Sequence, residues 1–89
     1  MASYDPSCGE RHGTWLVRKI AKALVDNTDE VKVREVVGAR SVVIEVDIPP
    51  SDRGKFIGKK WVHKKAIETL LHALGGREKT RYVLSVIED

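Results

Sequence analysis

The chain has 89 residues, 42% of them hydrophobic and 33% charged, which suits one compact domain with a modest core rather than two. Its formal charge of +3 is mildly basic and fits an anionic partner without requiring one. Cys8 is the only cysteine, so no intramolecular disulfide forms; no apolar run is long enough to cross a bilayer and no signal-peptide core is visible, which predicts a reducing, cytoplasmic setting without membrane contact.

In chain order, residues 1–13 mix Ser, Gly, Pro and charge without periodicity and read as a flexible leader, with a single domain over 14–89. Cys8 and His12 resemble half a metal site, but no second pair completes it, and neither a metal nor a cofactor is expected. Thr14 is a good N-cap for a helix in which Leu16, Val17, Ile20, Ala21 and Leu24 recur at helical spacing, with Arg18, Lys19 and Lys22 on its wet side. Asp26-Asn27-Thr28-Asp29 breaks it, because these side chains compete for backbone hydrogen bonds. Two β-branched runs follow, 31–37 and 41–48, joined at Gly38-Ala39-Arg40 as in a hairpin. In the second run Val42, Ile44, Val46 and Ile48 alternate with Val43, Glu45 and Asp47, so one face is buried.

Pro49-Pro50 ends that strand, and Ser51-Asp52 are placed to cap a short helix to about Ile57, stopped by Gly58. A longer helix is predicted from near Trp61 to Leu74, with Ala66, Ile67, Leu70, Leu71 and Leu74 as its apolar stripe and Gly75-Gly76 as its terminator. A last strand runs from Arg81 to Ile87. The order helix, strand, strand, helix, helix, strand predicts a two-layer α+β domain, with helices on one face of a three-stranded sheet.

Charge is concentrated. Arg53, Lys55, Lys59, Lys60, Lys64 and Lys65 make the stretch from 53 to 65 +6, while the rest of the chain is −3. Such a patch is the footprint expected for docking a polyanion. Two helices meeting at a tight glycine turn also leave unpaired N–H groups at the start of the second helix, where the helix dipole favours an anion. The same residues have plainer readings. Gly58 alone is a common helix C-cap, the lysines alone are a solvated helix face, and Phe56 and Ile57 are apolar residues of a kind that usually buries.

Four stretches in order, IAKALVDNTDEV (20–31), GKFIGK (54–59), KAIETLL (65–71) and YVLSVIED (82–89), resemble the small single-domain bacterial KH proteins of the KhpA type, over nearly everything from Leu16 to Asp89. The resemblance implies a type II KH domain that binds single-stranded RNA, with a second RNA-binding protein or self-association as further partners. The family's loop has the form I-G-x-x-G; Ile57, Gly58, Lys59 and Lys60 match it and Trp61 replaces the last glycine. By resemblance this loop clamps the RNA backbone. The RNA-binding set it implies is Lys55, Ile57, Gly58, Lys59, Lys60, Trp61 and Lys64, beside an apolar groove offered by Ile48, Phe56, Ile57 and Val62.

Trp61 is expected to take ordinary helical angles as the first residue of its helix, since a positive φ costs an L-residue of order 1 kcal/mol or more. Its indole then packs back on the domain, shields a partner surface, or stands beside the phosphate path as a stacking platform. No enzyme is expected: acids and histidines show no triad, dyad or metal spacing, His63 and His72 read as exposed helical residues, and GxxxxGK[ST] is absent. The alternative to an RNA binder is a degenerate KH fold acting as a protein-protein interaction or dimerisation module, with Trp61 as its apolar anchor.

Overall fold

Alternation along the second strand sets the architecture: Val42, Ile44, Val46 and the following Ile48 are all buried, and everything else packs onto that face. The computed structural model of the chain describes residues 11–87. In it β1 (Lys32–Val37) and β2 (Ser41–Asp47) form the expected antiparallel hairpin, with Val33 opposite Val46 and Val37 opposite Val42. Strand β3 (Arg81–Val86) lies parallel to β2, Ser41 opposite Arg81, giving a mixed sheet of order β1-β2-β3. Parallel neighbours need a long crossover. Helices α2 (Pro50–Ile57) and α3 (Val62–Glu78) supply it, and α1 (His12–Leu24) precedes the sheet, so the predicted α+β order holds. Val17 and Ala21 of α1, Phe56 of α2, and Ile67 and Leu71 of α3 meet the buried strand residues in one core.

Three helix ends differ from the sequence reading. Helix α1 starts at His12, and Thr14 does not cap it: its hydroxyl is buried and donates to Glu35 of β1 at 2.5 Å. The added turn is fastened from the other end of the fold, where the His12 ring donates to Glu78 at 2.9 Å. Residues 1–10 of the expected leader, Cys8 among them, lie outside the described residues.

Asp52 does not cap α2 either; its carboxylate is turned to Asn27. Helix α3 runs through Gly75-Gly76 to Glu78 and stops at Lys79, which is left-handed with φ 56°. Gly75 is there for closeness. The chain folds back so that Thr80 N–H donates to the Gly75 carbonyl at 2.9 Å, and a Cβ on Gly75 would strike the Thr80 carbonyl oxygen. The apolar stripe of α3 is narrower than predicted: Ile67 and Leu71 are buried and Leu74 partly so, whereas Ala66 and Leu70 are exposed.

Candidate nucleic-acid interface

The corner between α2 and α3 is built on Gly58. Its backbone (φ 80°, ψ 165°) lies where L-residues are strained, and its N–H donates to the Gly54 carbonyl at 2.8 Å to close α2. A Cβ on Gly58 would sit 2.7 Å from the His63 ring and 2.9 Å from the His63 backbone nitrogen. The ring is held there because His63 Nδ1 donates to the Lys55 carbonyl at 3.0 Å, tying the first turn of α3 to the last turn of α2. Sequence reasoning missed this strut. A histidine on a polar helix face carries no signal of it until the angle of the corner is known.

Between the two helices Lys59–Trp61 make a single tight turn. Trp61 N–H donates to the Gly58 carbonyl at 3.2 Å, and Val62 N–H returns to the Lys59 carbonyl. Lys60 (φ 55°, ψ 31°) and Trp61 (φ 66°, ψ 20°) are consecutive left-handed residues, so Lys59 to Val62 is a turn of type I′ sense. Trp61 therefore does not take the ordinary helical angles expected of it. It keeps the backbone shape that a glycine adopts at least cost, against about 1–2 kcal/mol per L-residue. Closure is the physical reason: with Gly58 against His63, this left-handed pair brings the chain round into α3. Trp61 is the N-cap residue of α3, and no side chain caps the helix amides behind it.

Of the six cations between 53 and 65, three are engaged inside the molecule. Arg53 donates to the Ile48 carbonyl at 3.4 Å; Lys55 pairs with Asp26 and, at 3.8 Å, with Asp52; Lys64 pairs with Glu68 at 3.5 Å. Lys64 also sits 5.7 Å from the centre of the Trp61 ring, a cation–π distance, so the indole lies toward the outer face of α3. Lys59, Lys60 and Lys65 are exposed and have no ion pair among the described residues. The predicted groove is thinner than its four names. Ile48 and Phe56 are fully buried and offer no surface, Ile57 is half-buried against the core, and Val62 is 58% exposed beside Trp61 at 51%.

A polar latch holds α2 in place behind the turn. Buried Asp52 accepts from the Asn27 backbone N–H at 2.9 Å and from its side-chain amide at 2.8 Å. These bonds, the backbone one foremost, with the Lys55 charge, hold its carboxyl below the usual range. Lys55 is raised in turn, chiefly by its bond to Asp26. At the far end of α3, burial and then the bond to Glu78 (2.5 Å) push the Tyr82 hydroxyl up to about 12. Among the described residues no group of three or more His, Cys, Asp and Glu is placed to hold a metal ion, and no helix is long and apolar enough to cross a membrane.

A mixed sheet of this connectivity, with a glycine corner on its crossover and cations at the tip, has the architecture of a KH domain. The family model described as "KhpA/KhpB, KH domain" matches residues 15–86, and the chain belongs to that family. Among curated relatives, the RNA-binding protein KhpA of Caldanaerobacter subterraneus is 47% identical over 72 residues, which cover 81% of this chain and 96% of that one. The RNA-binding protein KhpA of Clostridium acetobutylicum is 44% identical over the same shares. That of Aquifex aeolicus is 42% identical, over 82% of this chain and 92% of its own. These relatives are named as RNA binders, not enzymes. No solved structure gives a significant match.

Proposed function

We propose that this protein binds single-stranded RNA in the cytoplasm, as a single domain that takes in α1 from His12 onward. The phosphates lie against the turn from Gly58 to Trp61, and the bases reach toward Ile57 and Val62. The observation that carries the reading is the display of Lys59 and Lys60. They are unpaired cations on the tip of a turn that opens into the uncapped start of a 17-residue helix. Lysines, helix amides and helix dipole all favour an anion at that point. The relatives' names agree with it. Lys65 joins this cationic front, while Lys55, Lys64, Phe56 and Ile48 support it from behind by holding α2, Trp61 and the core. Trp61 serves as a platform for a base or sugar, backed by Lys64. A second RNA-binding protein or a second copy shares the same RNA.

The test is anisotropy of a short labelled RNA at several salt concentrations. Affinity falls as salt rises, with a slope of about −0.7 per phosphate contact. Lys59→Asp/Lys60→Asp flattens that slope and leaves cooperative unfolding intact. A salt-independent signal, or none, favours the second reading, a protein-interaction module, which rests on the exposed pair Trp61 and Val62. Fluorescence in a Trp15→Phe background separates the roles of Trp61: stacking quenches or shifts its emission on adding RNA, and an obstructing indole leaves emission unchanged while Trp61→Gly tightens binding.

A further inference from the structure

Behind the exposed lysines, one cation on α2 is poorly satisfied. Arg53 is half-buried, and its guanidinium makes a single hydrogen bond, a long one of 3.4 Å from Nη2 to the Ile48 carbonyl. Its Nε is buried without a partner, the one such side-chain atom among the described residues. Lys55, two residues on, has both Asp26 and Asp52. Burying a charged fork of donors and leaving it mostly unpaired costs free energy that one weak bond does not return. An acceptor that the free protein does not supply would account for it.

We propose that Arg53 reads a base of the bound RNA: its guanidinium leaves the Ile48 carbonyl and donates a pair of hydrogen bonds to two adjacent acceptors on one base edge. This deepens the RNA-binding reading given above and rests on it.

Position supports the role. Arg53 stands one turn before Ile57 on α2, so the two share a helix face, and Ile57 is where the bases are directed. The adjoining face is taken, by Asp52 turned to Asn27 and by Phe56 in the core. Between Arg53 and the loop, no atom lies within 4 Å of where a Cβ on Gly54 would be, which leaves bare helix backbone for a nucleotide to lie against. A base suits this place better than a phosphate. Half-burial strips water from a charged phosphate at high cost, whereas a base edge is flat and neutral, and the exposed Lys59 and Lys60 already face the backbone.

Donor chemistry then selects the base. A guanidinium offers only N–H donors, in one plane. Guanine presents O6 and N7 side by side, and cytosine presents O2 and N3, each an adjacent pair of acceptors. Adenine sets its amino group beside N7 and N1, and uracil sets N3–H between its two oxygens, so each turns a donor toward the fork. Arg53 therefore favours guanine or cytosine at one position of the strand.

The experiment titrates the full chain into labelled oligoadenylates about six nucleotides long, which overfill the roughly four-nucleotide span of such a site, with one internal adenine replaced in turn by guanine, cytosine or uracil. Guanine or cytosine at one position raises affinity about ten-fold over adenine and uracil, with the same salt slope throughout. Where guanine is the preferred base, 7-deazaguanine, which lacks N7, loses the gain. Arg53→Met keeps the apolar stem and removes the donors. It levels the bases and leaves the salt slope alone, and its melting temperature equals or exceeds that of the unsubstituted chain, because a buried orphan is gone. Should that variant fail to fold, Arg53→Lys serves instead: it keeps a cation, cannot fork, and loses most of the preference. Salt-sensitive binding with equal affinity for all bases overturns the proposal and leaves RNA binding standing. A preference that survives loss of the guanidinium overturns it too, as does a salt slope shallower by about one phosphate in Arg53→Met, which makes Arg53 a backbone contact. Absence of salt-sensitive binding to any oligomer removes the RNA reading and this proposal together.

Discussion

Helix α3 begins and ends in left-handed residues that are not glycine, Lys60 and Trp61 before it and Lys79 after it. At the far end the conformation is embedded. Lys79 N–H and Thr80 N–H both return to the Gly75 carbonyl, Tyr82 donates to Glu78 at 2.5 Å, and His12 reaches Glu78 from α1. One left-handed residue closing a helix is ordinary, and here its neighbours hold it from three sides. At the near end two such residues stand in succession, exposed, with His63 as the strut behind them. The same backbone state is a structural stop at one end and a surface held out to solvent at the other. Strain without local compensation is the kind that collects at functional sites.

The largest effect that tests this contrast is Gly75→Ala. A methyl group forced against the Thr80 carbonyl overpacks the embedded end, and stability falls by about 3 kcal/mol in chemical denaturation. A loss of a few tenths would mean that the return of the chain after α3 is loose, and the contrast fails. Next is Lys59→Asp/Lys60→Asp. Affinity for single-stranded RNA drops at least ten-fold, which is about 1.4 kcal/mol, with unfolding unchanged. Equal affinity would move the binding surface elsewhere, to Arg18, Lys19 and Lys22 among other places.

Smaller, but the sharpest on the comparison, is the pair Trp61→Gly and Lys79→Gly. Each relieves a left-handed L-residue and raises stability by about 1 kcal/mol, less the entropy glycine gains in the unfolded chain. Only Trp61→Gly changes RNA affinity. If both variants alter it, or neither does, the two ends are not functionally distinct. The smallest effects are in pH. Tyr82, raised to about 12 in the fold, contributes stability that is complete below pH 10 and is lost as pH climbs toward 12, so Tyr82→Phe flattens the alkaline limb of a melting-temperature profile. Asp52, lowered in the fold, contributes stability that is present above the usual carboxylate range and is lost as pH falls below it. Asp52→Asn flattens the acid limb instead.

Much of the fold was legible because its signals are local. Alternation from Val42 to Ile48 gave the buried face, Gly38-Ala39-Arg40 gave the hairpin, and Pro49-Pro50 and Gly58 bounded α2, all within a residue or two. The errors lie where a residue serves a distant partner. Thr14 looks like a cap but is used by Glu35, Asp52 looks like a cap but is used by Asn27, and Gly75 looks like a stop but makes room for Thr80. For the site, the lysine pair and its glycine were readable from spacing and charge. Which of six cations stay unpaired was only partly readable: Glu68 stands four residues after Lys64 on one predicted helix, but Asp26 becomes the partner of Lys55 only in three dimensions. Trp61 escaped because propensity argues against a positive φ, and closure of a pinned corner overrides propensity.

Parallel pairing of β2 with β3 also orders the events of folding. The β1–β2 hairpin closes a three-residue turn and forms within microseconds, whereas β3 finds its place only after the whole segment from Ile48 to Thr80 has been drawn in. A strand that docks late has few native contacts at the rate-limiting barrier. Destabilising changes in β3 therefore appear as faster unfolding with refolding nearly unaltered, while changes at Val42 or Ile44 slow refolding, a division that the two limbs of a chevron plot read directly.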